Sequence, residues 1–192
     1  MLADRSGNQD DRRLVRDAKA GDVASFDRLV EKYTGRLFRV VRSLASDRYE
    51  AEAIVQEAWL RTWKALPRSD AERPFFPWLA QIALNYARDQ WRKKRPLDFS
   101  DLVETHLQVL DLEVGPEGTL EKQEALQRLK EGIDSLRAEY RLAIALRYDA
   151  GMSYEEIAEV LKVPLNTVRT YLHRAKALLR RWMEVENAGL VG

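Results

Sequence analysis

The sequence predicts an all-α protein of two small helical domains joined by an acidic linker. Apolar residues recur at helical spacing through nearly every segment before residue 95, and again after residue 118. No alternating strand pattern interrupts them. Between the two stretches, residues 96–118 lose the period and collect Pro96, Gly115, Pro116 and Gly118 among acids. The expected organisation is therefore a domain over 1–95, a linker over 96–118 and a second domain over 119–192.

The elements follow in order. Leu14, Val15 and Ala18 mark a short first helix that Gly21 ends, and Asp22 is placed to cap the next. From Ala24 to Ala45, Phe26, Leu29, Val30, Tyr33, Leu37, Phe38, Val40, Val41 and Leu44 recur at helical spacing. A third helix runs from about Arg48 to Leu66, closed by Pro67. A fourth spans about Phe75 to Lys94, with Phe75, Trp78, Leu79, Ile82 and Tyr86 as its core face and Leu84 and Trp91 on a further face. Helices resume over about 119–131, 137–149, 153–162 and 165–186. Leu102, Val103, Leu107, Val109, Leu110 and Leu112 make the linker stickier than a solvated tether.

Composition narrows the function. The 192 residues include no Cys, which excludes a disulfide framework, a thiol nucleophile and Cys-ligated metals. With only His106 and His173, a metal site would need carboxylates for most of its ligands, so no metal and no cofactor is expected. No apolar run approaches 18 residues and the N-terminus has no signal-peptide core, so the expectation is a cytoplasmic protein without membrane insertion. An enzyme would need clustered carboxylates or a nucleophile with its base. Neither is evident, since Glu155, Glu156 and Glu159 fit a helix cap and a solvated face.

Charge is divided along the chain. Residues 1–95 hold 20 Lys/Arg against 14 Asp/Glu; residues 96–121 hold seven acids and no base. Residues 165–183 hold Arg169, Arg174, Lys176, Arg180 and Arg181 and no acid. Basic blocks around an acidic spacer suit a polyanion-binding protein. Charge by itself fits solvated helix faces equally well.

The strongest motif lies near the C-terminus. Ser153 with Glu156 forms a capping box, a short apolar-faced helix follows, and V-P-L breaks it before a longer basic helix. A short helix, a tight turn and a basic helix make a helix-turn-helix. On a wheel, Val168, Tyr171, Leu172, Ala175, Leu178, Leu179 and Trp182 share an arc of ~120°. Arg169, Thr170, His173, Arg174 and Lys176 lie opposite, the side chains a major groove accepts, with Arg147 able to support on the backbone.

Two faces stand out earlier in the chain. On the third helix Ala51, Ile54, Val55, Ala58, Trp59, Thr62 and Leu66 face the core. Glu50, Ala53, Gln56, Glu57, Leu60 and Arg61 face outward, an apolar spot in a charged rim that suits a protein contact. On the fourth helix Gln81, Asn85, Arg88, Arg92 and Arg95 form one polar stripe suited to a nucleic-acid strand, with Asn85 able to read a base edge. Complementing the helix dipole also accounts for Arg92 and Arg95, but not for the amides on their side.

These motifs together resemble the extracytoplasmic-function group of bacterial RNA polymerase sigma factors, over nearly the whole chain. AGDVASFDRLVEKY is similar to the family's opening helices, and EAEAIVQEAWLRTWKAL to the segment gripping the polymerase clamp helices. FFPWLAQIALNYARDQWR is similar to the segment that opens and reads the minus-ten element. SYEEIA followed by TVR and HRAK resembles the domain that reads the minus-thirty-five element.

The resemblance implies a promoter-directing subunit of core RNA polymerase, held to its clamp helices and flap, with an anti-sigma factor as regulator. It implies polymerase contacts at Glu50, Ala53, Gln56, Glu57, Leu60 and Arg61, and a pocket at Asn85 for a base flipped from the strand. Gln81 shares that stripe, and Arg88 and Arg92 would hold phosphates. Arg169, Thr170, His173, Arg174 and Lys176 would contact the minus-thirty-five element, with Arg147 on its backbone. The linker would thread toward the polymerase active-site channel. Four features depart from the pattern: Ala53 where Asp is frequent, RSDAER before the fourth helix in place of FRGD, Tyr171 where Arg is frequent, and Asn166 where Gly or Ser is usual. The alternative is a stand-alone helix-turn-helix regulator, whose N-terminal half would need a dimer interface or a ligand pocket.

Overall fold

The computed structural model describes residues 3–94 and 120–189, side chains at the outer ends of these segments excepted. The linker reading for 96–118, and both domain boundaries placed beside it, fall outside the described residues. The first segment holds α1 (Ala3–Lys19), α2 (Val23–Arg42), α3 (Arg48–Ala65) with a 3-10 turn (Leu66–Arg68), and α4 (Phe75–Lys94). The second holds α5 (Leu120–Asp134), α6 (Ala138–Ile144) running into a π turn (Ala145–Asp149), α7 (Tyr154–Leu161) and α8 (Leu165–Gly189). No strand occurs among the described residues.

Local chemistry sets most helix starts. The Asp22 carboxylate accepts from Ala24 N at 3.1 Å and Ser25 Oγ at 2.6 Å, capping α2 as expected. Asp47 caps α3 by accepting from Glu50 N at 2.8 Å, and the Glu50 carboxylate returns to Ser46 N at 2.8 Å. Ser153 and Glu156 make the capping box of α7, at 3.1 and 2.8 Å. The first helix begins well before its apolar residues, because its early turns are polar and carry no period that sequence can reveal.

The N-terminal core follows the predicted faces of α2 and α3. Leu29, Leu37, Val40, Ala51 and Ala58 have no exposed surface. Each fully buried Leu or Val contributes about 1.5–3 kcal/mol. Aromatic rings lock the bundle, with Phe26 edge-on to Trp59 at 5.7 Å and Tyr33 tilted against Phe76 at 5.2 Å. The buried Asp11 carboxylate receives Lys32 Nζ at 2.6 Å and the Tyr33 hydroxyl, which compensates its charge.

α4 is rotated from its predicted setting. Leu79, Ala80, Ala83, Leu84, Ala87 and Trp91 are buried, whereas Trp78, Ile82 and Tyr86 are only half-buried. Alanines account for the difference: Ala80, Ala83 and Ala87 have no exposed surface and belong to the packed face, which a large-residue wheel underweights. Leu84 and Trp91 are enclosed, as their separate face suggested.

The C-terminal helices pack around Leu142, Leu146, Met152, Ile157, Val168 and Leu172. α5 crosses α8 at Gly132, where a Cβ would stand 2.9 Å from Trp182 Cδ1, so only glycine allows this approach. The two halves also dock on one another. α7 packs on α4 and the π turn on α2, joining the two sets of buried side chains into one cluster. Arg141, largely buried, donates from Nε to Ser43 O at 2.5 Å and from Nη1 to Asp134 O and Leu136 O at 3.0 and 3.2 Å. Burial lowers its pKa and Asp134 opposes that shift; the guanidinium stays charged regardless. On the far side Arg73 pairs with the Glu159 carboxylate at 2.5 Å, and Gln81 Nε2 donates to Glu159 O at 3.4 Å.

Candidate nucleic-acid and protein interfaces

α8 begins after a tight turn in which Lys162 takes the left-handed conformation, φ +57°. The turn lets α7 and α8 share one core while α8 keeps its outer face clear. Val168, Leu172 and Ala175 are buried, and Arg169, Thr170, His173, Arg174, Lys176, Arg180 and Arg181 are exposed together. Leu178, at the edge of the apolar arc, stays 46% exposed, whereas Leu179 and Trp182 beside it pack against Gly132 of α5.

The exposed residues are individually braced. Arg169 Nη1 donates to Asn166 Oδ1 at 3.1 Å, and Thr170 Oγ1 donates to Asn166 O at 2.9 Å. Arg174 Nη1 donates to the Tyr140 hydroxyl at 3.4 Å, and Lys176 Nζ lies 5.5 Å from the Tyr148 ring centroid. Arg147 donates to Met152 O at 2.6 Å and lies over the Tyr154 ring, so its side chain staples the turn before α7.

On α3, Ala53, Gln56, Leu60 and Arg61 are exposed, and Glu57 is half-buried with its carboxylate on Arg61 Nε at 2.7 Å. Glu50 is turned inward instead, holding Ser46 and accepting from Trp91 Nε1 at 3.2 Å. The sequence reading missed Tyr49, 82% exposed, and Trp63, 40% exposed. Tyr49, Ala53, Gln56, Leu60 and Trp63 follow one another at spacings of three and four, an exposed strip along the helix. Extending the outward face by one turn each way would have found both rings.

On α4, Gln81, Asn85 and Arg88 are half-buried and Arg92 is exposed with Asp89 at 3.4 Å. The Arg61 guanidinium lies 4.5 Å from the Tyr86 ring, linking this helix to the α3 face. At the foot of α4 a cleft of about 180 Å³ is lined by Val15, Arg68, Ser69, Asp70, Arg73, Phe75 and Trp78. Among the described residues no group of His, Asp and Glu is arranged to hold a metal ion, and no helix is long and apolar enough to cross a membrane.

Residues 29–97 match the family model for sigma-70 region 2, and residues 126–179 that for sigma-70 region 4. The chain is 30% identical to the ECF RNA polymerase sigma factor SigW of Bacillus subtilis (strain 168), over 88% of this chain and 95% of SigW. The chain belongs to the ECF group of sigma-70 factors. It is also 30% identical to the RNA polymerase sigma-H factor of Pseudomonas aeruginosa, over 92% of this chain and 95% of that one. Among solved structures, CnrH in complex with the cytosolic domain of CnrY matches at TM-score 0.68 and 27% identity, over 92% of this chain and 98% of CnrH. The sigma factor RpoE of Bartonella quintana, in complex with the anti-sigma factor NepR, matches at TM-score 0.68 and 26% identity, over 83% of this chain and 97% of RpoE. This sigma factor directs transcription initiation, and its all-α fold with region 2 and region 4 domains is that of the family.

Proposed function

We propose that the three surfaces divide the work of initiation. α3 presents Ala53, Gln56, Glu57, Leu60 and Arg61, with Tyr49 and Trp63, to the clamp helices of core polymerase. Region 4 sits on the flap and lays α8 in the major groove of the minus-thirty-five element through Arg169, Thr170, His173, Arg174 and Lys176, with Arg147 bracing the fold beside it. Gln81, Asn85, Arg88 and Arg92 on α4 hold the opened minus-ten strand. Flipping a base from that strand costs stacking energy, which pocket contacts and polymerase binding offset. We place the domains at 1–95 and 119–192 with 96–118 between them. The factor acts in the cytoplasm, carries out no covalent chemistry, and is silenced by an anti-sigma factor, as CnrY and NepR are found on its structural neighbours.

The observation that carries this reading is the face of α8. Five bases and no acid from Leu165 to Met183 stand in solvent above a buried apolar seam, directly after a capped helix. The docked domains must part on the promoter. The two elements lie about 25 base pairs apart, ~85 Å at 3.4 Å per base pair, whereas α7 here rests on α4.

Run-off transcription with purified core polymerase and a pool of upstream genomic fragments tests the proposal. Discrete transcripts that depend on the added protein are the expected result. Specific DNA binding without core, and no transcripts with it, would establish a stand-alone regulator instead.

A further inference from the structure

We infer that Tyr140 and Tyr148 are positioning residues for minus-thirty-five recognition, holding Arg174 and Lys176 against the two flanks of α8 so that they reach the phosphates on either side of the groove. The inference rests on the reading that α8 enters the major groove. It begins with the backbone of α6. From Ala145 the helix widens into a π turn, in which Ala150 N reaches back to Ala145 O at 2.9 Å. In an unbroken α-helix the eight steps from Tyr140 to Tyr148 would rotate the second ring ~80° from the first. Each residue of a π turn advances by only ~80° instead of ~100°, which leaves Tyr148 within ~30° of the bearing of Tyr140. Both rings therefore face α8.

Each ring meets a different cation. Tyr140 is buried, its ring packed 5.6 Å from Tyr171, and its hydroxyl accepts from Arg174 Nη1 at 3.4 Å. Tyr148 is 54% exposed, with Lys176 Nζ 5.5 Å from its ring centroid. The neighbouring Tyr148 raises the pKa of the Lys176 amine, and the Tyr140 hydroxyl, accepting from Arg174, does the same for that guanidinium. Arg174 and Lys176 are two residues apart and so point ~160° apart across the outer side of α8. Thr170 and His173 lie on the arc between them, where base edges would be. A helix in the major groove has a phosphate strand on each side. Long cationic side chains lose rotamer freedom when they bind, and tethering them beforehand reduces that loss. The two tyrosines supply the tether.

The test uses the full chain bound to core polymerase and a labelled duplex carrying only a minus-thirty-five element mapped by run-off transcription. Tyr140→Phe removes the acceptor and keeps the ring packing; Tyr148→Leu removes acceptor and ring face. We expect each to weaken the duplex about 3- to 10-fold, with the magnitude of the salt-dependence slope reduced by up to about one phosphate contact. The decisive readout is coupling. Tyr140→Phe should cost little once Arg174→Ala is present, and Tyr148→Leu little once Lys176→Ala is present. Tyr148→Phe, which keeps the ring, should fall between wild type and Tyr148→Leu. Additive losses in both pairs, or tyrosine variants with unchanged affinity and slope at unchanged Tm, overturn the inference. If Arg174→Ala and Lys176→Ala leave the duplex affinity unchanged, the assignment of α8 to the groove fails as well.

Discussion

The two surfaces assigned to DNA differ in how the fold leaves them. Among the described residues nothing covers the outer face of α8, whose cations stand in solvent with Arg174, Lys176 and Arg169 beside Tyr140, Tyr148 and Asn166. The stripe on α4 is half-covered: Gln81 donates to the backbone of α7, and Arg73 at the neighbouring loop is held by the Glu159 carboxylate. A duplex reader needs only a rigid surface of the right shape, which one small domain can supply. A reader of opened strand competes with any acidic or carbonyl-rich element of its own chain, because such an element offers the same acceptors as a phosphate. Glu159 offers both a carboxylate and a carbonyl there.

Substitutions on separate surfaces can break or sharpen this contrast. The largest effect is expected from Leu60→Asp, which puts a charge at the centre of the exposed α3 strip. Loss of at least ~30-fold in affinity for core polymerase fits a central interface residue, with both DNA surfaces intact and helicity retained by circular dichroism. Normal core binding by the folded variant would remove α3 from the interface. Arg174→Ala comes next, with a loss of about 10- to 100-fold on the minus-thirty-five duplex, the scale of one hydrogen bond to a charged group. Core binding by the same variant should not change, and titration against core checks that.

Glu159→Lys reverses the ion pair with Arg73 and sets two cations together. Such exposed pairs are worth about 1 kcal/mol or less, so a several-fold gain in binding of a single-stranded minus-ten oligonucleotide is expected. Small-angle scattering should show a larger radius of gyration, and affinity for the minus-thirty-five duplex should stay as it was. A gain at both elements would mean that the contrast between the surfaces is not set by docking. The smallest effect is expected from Asp149→Asn. Burial raises the pKa of Asp149 and Arg39 opposes the shift, so the ionised carboxylate costs stability at neutral pH. That cost disappears as pH falls through the raised pKa and is gone below the unfolded value of about 3.9. The variant should have a slightly higher Tm at pH 7 and no advantage near pH 3. An advantage that grows toward acid would reverse the assigned cause.

Much of the site was legible because its signals are local. The α8 face, the α7 cap and the core side of α3 emerged where the wheel and the spacing put them, since each depends on residues within a turn or two. Glu50 went astray because its carboxylate is used by Ser46 and by Trp91, and Trp91 lies 41 residues away. Arg147 was expected beside the DNA backbone, and its donation to Met152 O is an intramolecular contact that its spacing did not announce. Tyr49 and Trp63 were passed over because large apolar residues are normally assigned inward, and only the packing of α2 and α4 shows which side of α3 remains uncovered.

By itself the sequence determined most helix starts, the separation of charge and most amphipathic faces, because caps and periodicity act between near neighbours along the chain. Tertiary structure decided three further things. It turned α4 onto its alanines, since close approach outweighs side-chain size once a partner helix is present. The π turn aims Tyr148 at α8, a register change with no signature in hydrophobic period. Docking joins Arg141 to Ser43 across 98 positions and Arg73 to Glu159 across 86. Contacts at such separations depend on how folded surfaces meet, and no local pattern encodes them.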